Sequence, residues 1–240
     1  MTTPEIETLP DAAALATRVA TRLLDRLGSV QAASGQPHIA LSGGSTADAV
    51  HGELARLSPQ SGVDWTRVVV WWGDDRFVPG DSPERNAVQA RRSFLDVVGA
   101  TQIHEMPSTD GTDEVAAGAA AYGSLLRSQG SGEFEIVMLG VGEDGHVASL
   151  FPGRPELDVD DRIAVAVTDS PKPPPERITL TFAALNRSRS VWFLVSGADK
   201  AAVVAAALVG DADFHDIPAR GVAGGEETIW FIDTAAASKL

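Results

Sequence analysis

Residues 67–75 read RVVVWWGDD, and this stretch indicates the fold class more clearly than any other. Its apolar residues follow one another without the polar alternation of a half-exposed strand, which is typical of a strand buried on both faces. The glycine and the two aspartates end the apolar run. The stretch therefore predicts a buried parallel strand that carries polar groups at its carboxyl end.

On both sides of this strand, short apolar runs alternate with helical patterns. Further strands are predicted at residues 38–41, 134–139, 163–167, 178–180, 191–195 and 229–232. Helices are predicted at residues 11–28, 47–57, 84–98, 113–128 and 198–208. This alternation predicts an α/β fold with a mainly parallel sheet and helices on both faces. We expect a single domain over residues 1–240, because the chain shows neither a repeat nor a long linker.

Composition and charge exclude several classes of function. The chain has no cysteine, which excludes disulfides, thiol nucleophiles and thiolate metal sites. Its 33 acidic and 19 basic residues give a formal net charge of −14, which opposes binding to nucleic acid or to anionic membranes. A small anionic ligand remains possible where basic groups cluster, because salt screens charges beyond about 10 Å.

Targeting signals are weak in this sequence. Residues 1–16 lack the basic and apolar segments of a secretory signal, and the apolar run at 201–209 is far shorter than the roughly 20 residues of a membrane helix. The final tripeptide, Ser238-Lys239-Leu240, matches a peroxisomal address, a pattern that short termini also reach by chance. We expect a cytoplasmic protein.

Polar loops follow several of the predicted strands, and in a parallel sheet such loops meet at the carboxyl edge, where ligands bind. The first loop is Ser42-Gly43-Gly44-Ser45-Thr46. Its glycines allow a ligand to approach the backbone, and the helix that follows favours an anion. The same residues also suit a tight turn capped by Ser45 or Thr46. The segment alone does not decide between these interpretations.

The second loop contains Asp74, Asp75 and Arg76, followed by Arg85 and Asn86. Carboxylates and an arginine at the end of a strand can orient a polyhydroxylated ligand or bind its charge. Opposite charges in such a run also commonly pair with each other in a solvated turn.

The third loop, residues 139–146, reads LGVGEDGH and contains the G-x-G-x-x-G pattern of dinucleotide-binding folds. Pro152 follows too soon for the crossover helix that this pattern requires. A better interpretation is that the glycines present Asp144 and His146 at a loop tip. There the imidazole can act as a general base, and the carboxylate can orient it. A metal could bind this pair only adventitiously, because no dense ligand motif is present.

The fourth loop places Lys200 in the first turn of the helix predicted at 198–208, where a cation is unfavourable for the helix dipole. An anionic ligand would compensate for this position, and an amino group that extends into water is the alternative. No serine occupies a G-x-S-x-G motif, so the nucleophile of α/β-hydrolases is excluded.

Five segments, in this order over residues 38–232, resemble the 6-phosphogluconolactonase family. They read LSGGST, WWGDDRFVPGDSPERN, LGVGEDGHVASLFPG, PKPPPERITLT and VWFLVSGADKA. The family is related to glucosamine-6-phosphate deaminases and isomerases, so the resemblance implies a Rossmann-like α/β fold. It also implies hydrolysis of 6-phospho-D-glucono-1,5-lactone to 6-phosphogluconate in the oxidative pentose phosphate pathway, without a metal or organic cofactor.

The resemblance also implies roles for individual residues. His146 would be the base that activates water, and Asp144 would orient it. The substrate would be bound by charged side chains and backbone donors of Gly43, Gly44, Ser45, Thr46, Asp74, Arg76, Arg177 and Lys200, of which Arg76 and Lys200 would bind the 6-phosphate or neighbouring anionic oxygens. The implied partner is a phosphorylated sugar lactone, with no nucleic acid and no membrane. We expect a monomer, and the sequence leaves assembly open.

Two other functions stay open at this stage. The deaminase relatives carry a glutamate five residues after the histidine, where this chain has Phe151, which disfavours a sugar-phosphate isomerase or deaminase. A non-catalytic sugar-phosphate sensor on the same fold is the second alternative. Binding of 6-phosphogluconate without turnover would favour the sensor.

Overall fold

A computed structural model describes residues 3–240, and its strands form two sheets. Within these residues the strands are β1 (Glu5–Leu9), β2 (His38–Leu41), β3 (Val69–Trp72), β4 (Asp74–Arg76), β5 (Gln102–Ile103), β6 (Phe134–Leu139), β7 (Ala164–Val167), β8 (Arg177–Leu180), β9 (Ser188–Val195) and β10 (Glu227–Asp233). The larger sheet has the order β1-β10-β9-β6-β2-β3-β5, and all its neighbouring strands are parallel.

The helices lie between these strands. They are α1 (Ala12–Ala32), α2 (Ser45–Ser61), α3 (Asn86–Ala90), α4 (Val115–Gln129), α5 (Phe182–Leu185) and α6 (Ala201–Leu208). The helix predicted at 84–98 is wrong in its extent, since α3 is short and continues as a π-helical turn over Arg91–Leu95. The predicted end of α1 at Gly28 is also wrong. The helix continues for another turn, because one glycine inside a helix costs only about 1 kcal/mol.

Both faces of the large sheet are covered, as the continuous apolar strands predict. The side chains of Trp71 and Trp72 point to opposite faces of β3, and both are fully buried. Tyr122 of α4 anchors the same strand, because its hydroxyl accepts a hydrogen bond from the backbone N–H of Trp72 at 2.9 Å. One cluster of buried apolar side chains extends from Leu15 to Ala236. The prediction of an α/β fold with a mainly parallel sheet is confirmed.

A small antiparallel sheet, β4-β8-β7, leaves the large sheet immediately after β3. Only Gly73 separates β3 from β4, and its carbonyl accepts a hydrogen bond from the N–H of Leu180 at 2.8 Å. The strands predicted at 163–167 and 178–180 therefore exist, but they belong to this second sheet. Its register places Arg76 of β4 opposite Arg177 of β8, above the carboxyl edge of the large sheet.

Candidate active site

The predicted loops surround one cavity of about 380 Å³ at the carboxyl edge of β2, β3, β6 and β9. These four strands are neighbours in the sheet, so the loops that follow them meet at the same edge. Nine of the ten predicted site residues line the cavity: Gly43, Gly44, Ser45, Thr46, Asp74, Arg76, His146, Arg177 and Lys200. The tenth, Asp144, does not line the cavity but contacts Nδ1 of His146.

A tight turn presents His146 to the cavity. Gly145 has a positive φ of 88°, and the N–H of Gly142 donates to the carbonyl of His146 at 2.9 Å, which closes the turn. A Cβ at Gly142 would lie 2.0 Å from Nδ1 of His146. Glycine is therefore required here by space, since any side chain would displace the imidazole.

The carboxylate of Asp144 fixes the orientation of the imidazole. Its Oδ1 lies 2.5 Å from Nδ1 of His146 and accepts the backbone N–H of the same residue at 3.3 Å. Burial opposes ionisation of Asp144, but the hydrogen bond and the charge of His146 outweigh it and lower the pKa of Asp144 to about 2. An ionised partner at Nδ1 holds the ring proton there. The lone pair of Nε2, which has no partner among residues 3–240, is then available to accept a proton.

The glycine-rich loop leads directly into α2. Gly44 is the N-cap, with φ 102°, and no side chain caps the helix. The interpretation of Ser45 or Thr46 as the cap is therefore wrong, because both already lie in the first helical turn. The free N–H groups of that turn line the cavity, where they and the helix dipole favour an anion. Gly43 is required for another reason, since a Cβ there would lie 2.0 Å from Oδ1 of Asn86.

The two aspartates after β3 have different surroundings. Asp74 lines the cavity, and its carboxylate accepts hydrogen bonds from Ser149 Oγ at 2.6 Å and Asn86 Nδ2 at 3.2 Å. Asp75 points into the protein, where it accepts the N–H of Asn86 at 2.7 Å and lies 3.4 Å from Arg85. Burial raises the pKa of Asp75 to about 6. The interpretation of these charges as a solvated turn is wrong, because both carboxylates are buried.

Arg177 lines the cavity, but most of its hydrogen bonds are made elsewhere. Its guanidinium donates to the backbone carbonyls of Lys172 at 3.0 Å, Pro173 at 3.2 Å and Pro174 at 3.2 Å. It also donates to Ser149 Oγ at 3.4 Å. These contacts hold the proline-rich loop against β8. The role of Arg177 in binding substrate stays a prediction.

Arg76 and Lys200 face the cavity from different elements. Arg76 donates from Nη1 to the carbonyl of Glu84, whereas its buried Nε has no partner among residues 3–240. The amino group of Lys200 is largely buried and lies 3.9 Å from Oδ2 of Asp199. Both cations therefore keep hydrogen-bond donors for a ligand.

Several cavity residues were not predicted from the sequence. Lys172 is exposed at the cavity wall, has no ion pair among residues 3–240, and contributes to the low pKa of Asp144. The rarity of lysine in this chain is the signal that could have found it. His51 of α2 also lines the cavity, where it stacks on Phe94 at 4.7 Å, and burial lowers its pKa to about 4. Its position inside a helix gave no signal of a site.

Residues 3–240 contain neither a cluster of metal-binding side chains nor a membrane-spanning helix. No three histidine, aspartate or glutamate side chains lie close enough together to hold a metal ion. No helix in this part of the chain combines the length and apolar character needed to cross a membrane.

Comparisons with known proteins place this arrangement in a family. The family model described as glucosamine-6-phosphate isomerases/6-phosphogluconolactonase matches residues 10–230. A 6-phosphogluconolactonase from Mycobacterium tuberculosis is 43% identical over 244 residues, which are 98% of each chain. The crystal structure of a 6-phosphogluconolactonase from Thermotoga maritima has a TM-score of 0.84 at 27% identity, covering 96% of this chain and all of that one.

A monomeric glucosamine-6-phosphate deaminase has a TM-score of 0.83 at 19% identity, covering 98% of this chain and 100% of that one. At this identity the likeness is one of fold alone, so the fold does not distinguish the two activities. The family match and the full-length similarity agree with the motifs that surround the cavity. The chain belongs to the glucosamine-6-phosphate isomerase/6-phosphogluconolactonase family.

Proposed function

We propose that this protein hydrolyses 6-phospho-D-glucono-1,5-lactone to 6-phosphogluconate in the oxidative pentose phosphate pathway. The observation that carries the proposal is the Asp144–His146 pair, whose free Nε2 lies on a cavity lined by cationic side chains. The full-length relative named 6-phosphogluconolactonase supports the choice of substrate. The cavity of about 380 Å³ has room for a phosphorylated sugar lactone.

In the proposed reaction, Nε2 of His146 accepts a proton from water as the water oxygen attacks the lactone carbonyl. Asp144 stabilises the imidazolium that forms, because its carboxylate stays ionised beside Nδ1. The tetrahedral intermediate then collapses, and the bond from the carbonyl carbon to the ring oxygen breaks. The imidazolium returns its proton to that oxygen. The products are a free hydroxyl and a carboxylic acid, which ionises at neutral pH.

Binding of the phosphate is assigned in this proposal to Arg76, Lys200 and the uncapped N-terminus of α2. The helix supplies backbone N–H donors and the positive end of its dipole, and the two side chains supply full charges. Asp74 is assigned to the sugar hydroxyls, because its carboxylate is oriented by Ser149 and Asn86 at the cavity wall. A local group of cations matters because the chain as a whole is strongly acidic.

The isomerase or deaminase alternative is disfavoured by Phe151. This side chain is fully buried and packs against the imidazole of His146, with ring centroids 4.6 Å apart. An apolar ring therefore occupies the position five residues after the histidine. Acid/base work on the sugar would need a carboxylate there, whereas lactone hydrolysis needs only an activated water and stabilisation of the oxyanion.

The test follows disappearance of the lactone at near-neutral pH, with the lactone generated in situ. Wild type, His146→Ala and a reaction without enzyme are compared, because the lactone also hydrolyses spontaneously. Acceleration by wild type alone would support both the reaction and the base. Equal rates in all three would reject the proposal, and binding of 6-phosphogluconate without turnover would favour the sensor.

The proposal includes a monomeric protein that acts in the cytoplasm on a small-molecule substrate. The assembly is checked by light scattering at the concentrations of the activity assay. A mass near twice that of the 240-residue chain would replace the monomer with a dimer.

A further inference from the structure

A second cavity, of about 340 Å³, lies at the opposite edge of the large sheet. We call it the basal cavity. Its wall includes His38, the first residue of β2, Phe134, the first residue of β6, and Arg187, which precedes β9. Arg127, in the last turn of α4, completes this side. The proposed lactone chemistry uses none of these residues.

The arginines of the basal cavity are unusual in this chain. Arg92, Arg127 and Arg187 are the arginines whose side chains form no hydrogen bond and no ion pair with any residue between 3 and 240, and two of these three line the cavity. In a chain with a net charge of −14, an arginine readily finds a carboxylate. Two unpaired guanidinium groups at one cavity therefore offer a concentrated set of free donors.

His38 supplies a further donor to the same cavity. Only 7% of the residue is exposed, and its Nδ1 accepts a hydrogen bond from Nε1 of Trp71 at 3.1 Å. Because Nδ1 is an acceptor, the ring proton resides on Nε2. Burial, together with the charge of His104, lowers the pKa of His38 and so favours the neutral ring. Nε2 has no partner among residues 3–240, and His38 lines the cavity.

Most of the acidic residues that line the basal cavity form ion pairs. Asp161 lies 3.3 Å from Arg162, and Glu133 lies 3.0 Å from Arg189. Within residues 3–240, Asp160 is the lining carboxylate without an ion pair. The lining therefore contains one unpaired carboxylate and two unpaired guanidinium groups. The remaining wall combines the apolar residues Leu126, Phe134, Ile163, Ala183 and Ala184 with the short segment Gly130-Ser131-Gly132.

We propose that the basal cavity binds a small organic anion, whose charged group contacts Arg127, Arg187 and the Nε2–H of His38, while its apolar part packs against Phe134 and Ile163. The two guanidinium groups provide charge-assisted hydrogen bonds, and the imidazole adds a directed neutral donor. The site lies at the end of the strands opposite the candidate active site. It does not depend on the lactone reaction.

The test uses benzoate as the probe and benzamide as its uncharged counterpart of similar shape. Binding is followed by the nitrogen NMR signals of the imidazole of His38, assigned by their loss in His38→Phe. We expect a saturable shift of the Nε2 signal with benzoate, and an affinity for benzamide that is weaker by about tenfold or more. An equal response to both probes, or no saturable response to benzoate, would overturn the proposal.

Variants locate the charged contacts. The double variant Arg127→Gln/Arg187→Gln should weaken benzoate by about tenfold or more, because both charge-assisted contacts are lost. Arg92→Gln is the matched control, since it removes the unpaired arginine that lies outside the cavity, and its affinity should match wild type. Circular dichroism confirms that the variants fold. Unchanged affinity in a folded double variant would refute the assignment of these arginines.

Discussion

The chain contains two aspartate–histidine pairs with the same local geometry, and only one of them lies on the candidate active site. In both pairs the histidine follows the aspartate by two residues. Nδ1 of His146 lies 2.5 Å from Oδ1 of Asp144, and Nδ1 of His215 lies 2.6 Å from Oδ1 of Asp213. In both, the backbone N–H of the histidine donates to the same carboxylate oxygen.

The pairs differ at the second ring nitrogen. Nε2 of His146 is unpaired within residues 3–240, and its side chain is 15% exposed at the cavity wall. Nε2 of His215 lies 2.8 Å from Oδ1 of Asp158, and its side chain is 43% exposed. A histidine with carboxylates on both nitrogens has no lone pair to offer a substrate. An aspartate–histidine pair is therefore a candidate base only where the far nitrogen is free and faces a cavity.

The first prediction is the largest effect and tests the comparison directly. His146→Ala should lower the rate of enzymatic lactone hydrolysis by roughly 10²- to 10⁴-fold, the usual contribution of a general base. His215→Ala should stay within about twofold of wild type, because this histidine does not line the cavity. Rates are measured above the spontaneous reaction. Similar losses of activity in both folded variants would show that the two histidines do not differ in their importance for catalysis.

The second prediction concerns the two aspartates. Asp144→Asn should lower kcat by about 10²-fold, because the amide no longer stabilises an imidazolium on Nδ1. Because the pKa of Asp144 is about 2, its carboxylate is ionised at every pH above about 4, so the variant compares an ionised partner of the imidazole with a neutral one. Asp213→Asn serves as the matched control and should keep wild-type kcat. A kcat for Asp144→Asn that matches wild type would remove the orienting role.

The third prediction tests the cations that surround His146 but not His215. Lys200→Met should raise the KM for the lactone by about tenfold and leave kcat nearly unchanged, if its contact with the phosphate is equal in the ground and transition states. Lys239→Met, near the C-terminus, is the control for loss of one lysine charge. A fall in kcat at constant KM would assign Lys200 to the transition state instead.

The fourth prediction is the smallest effect and concerns stability. Hydrogen bonds that the imidazole donates to the carboxylates of Asp158 and Asp213, of which the bond to Asp158 has the larger effect, raise the pKa of His215 above its usual value. The charged form is thus favoured in the folded state, so the stabilisation is complete below about pH 6.5 and is lost as pH rises through the raised pKa. His215→Gln should lower Tm slightly at pH 6 and not at pH 9. The same Tm difference at both pH values would contradict this role.

Much of this site could be predicted because the large sheet is parallel. Strands such as β3 and β6 have continuous apolar sequences, and their carboxyl ends must lie at one edge. The loops that follow them were therefore expected to meet. The same rule separates the histidine pairs, because Asp144 and His146 follow a strand whereas Asp213 and His215 follow α6.

Other features depend on contacts that a linear pattern does not contain. β1 was missed because its glutamates alternate with Ile6 and Thr8, and Glu7 forms ion pairs with Arg18 and Arg22 of α1. β4 was missed because its residues are charged, and their pairing with β8 comes from distant sequence. The backbone contacts of Arg177 were not predicted, because the carbonyls that accept its hydrogen bonds belong to a proline-rich loop whose path the sequence does not reveal.

The contact between Gly43 and Asn86 has an evolutionary consequence. The Nδ2 group of Asn86 donates to both the carbonyl and the carboxylate of Asp74, so the amide oxygen must face Gly43. A larger residue at position 43 would displace the amide group of Asn86. Asp74 would then lose the hydrogen bonds that this amide donates to it. A side chain at position 43 can therefore be accommodated only after the residue at position 86 has changed.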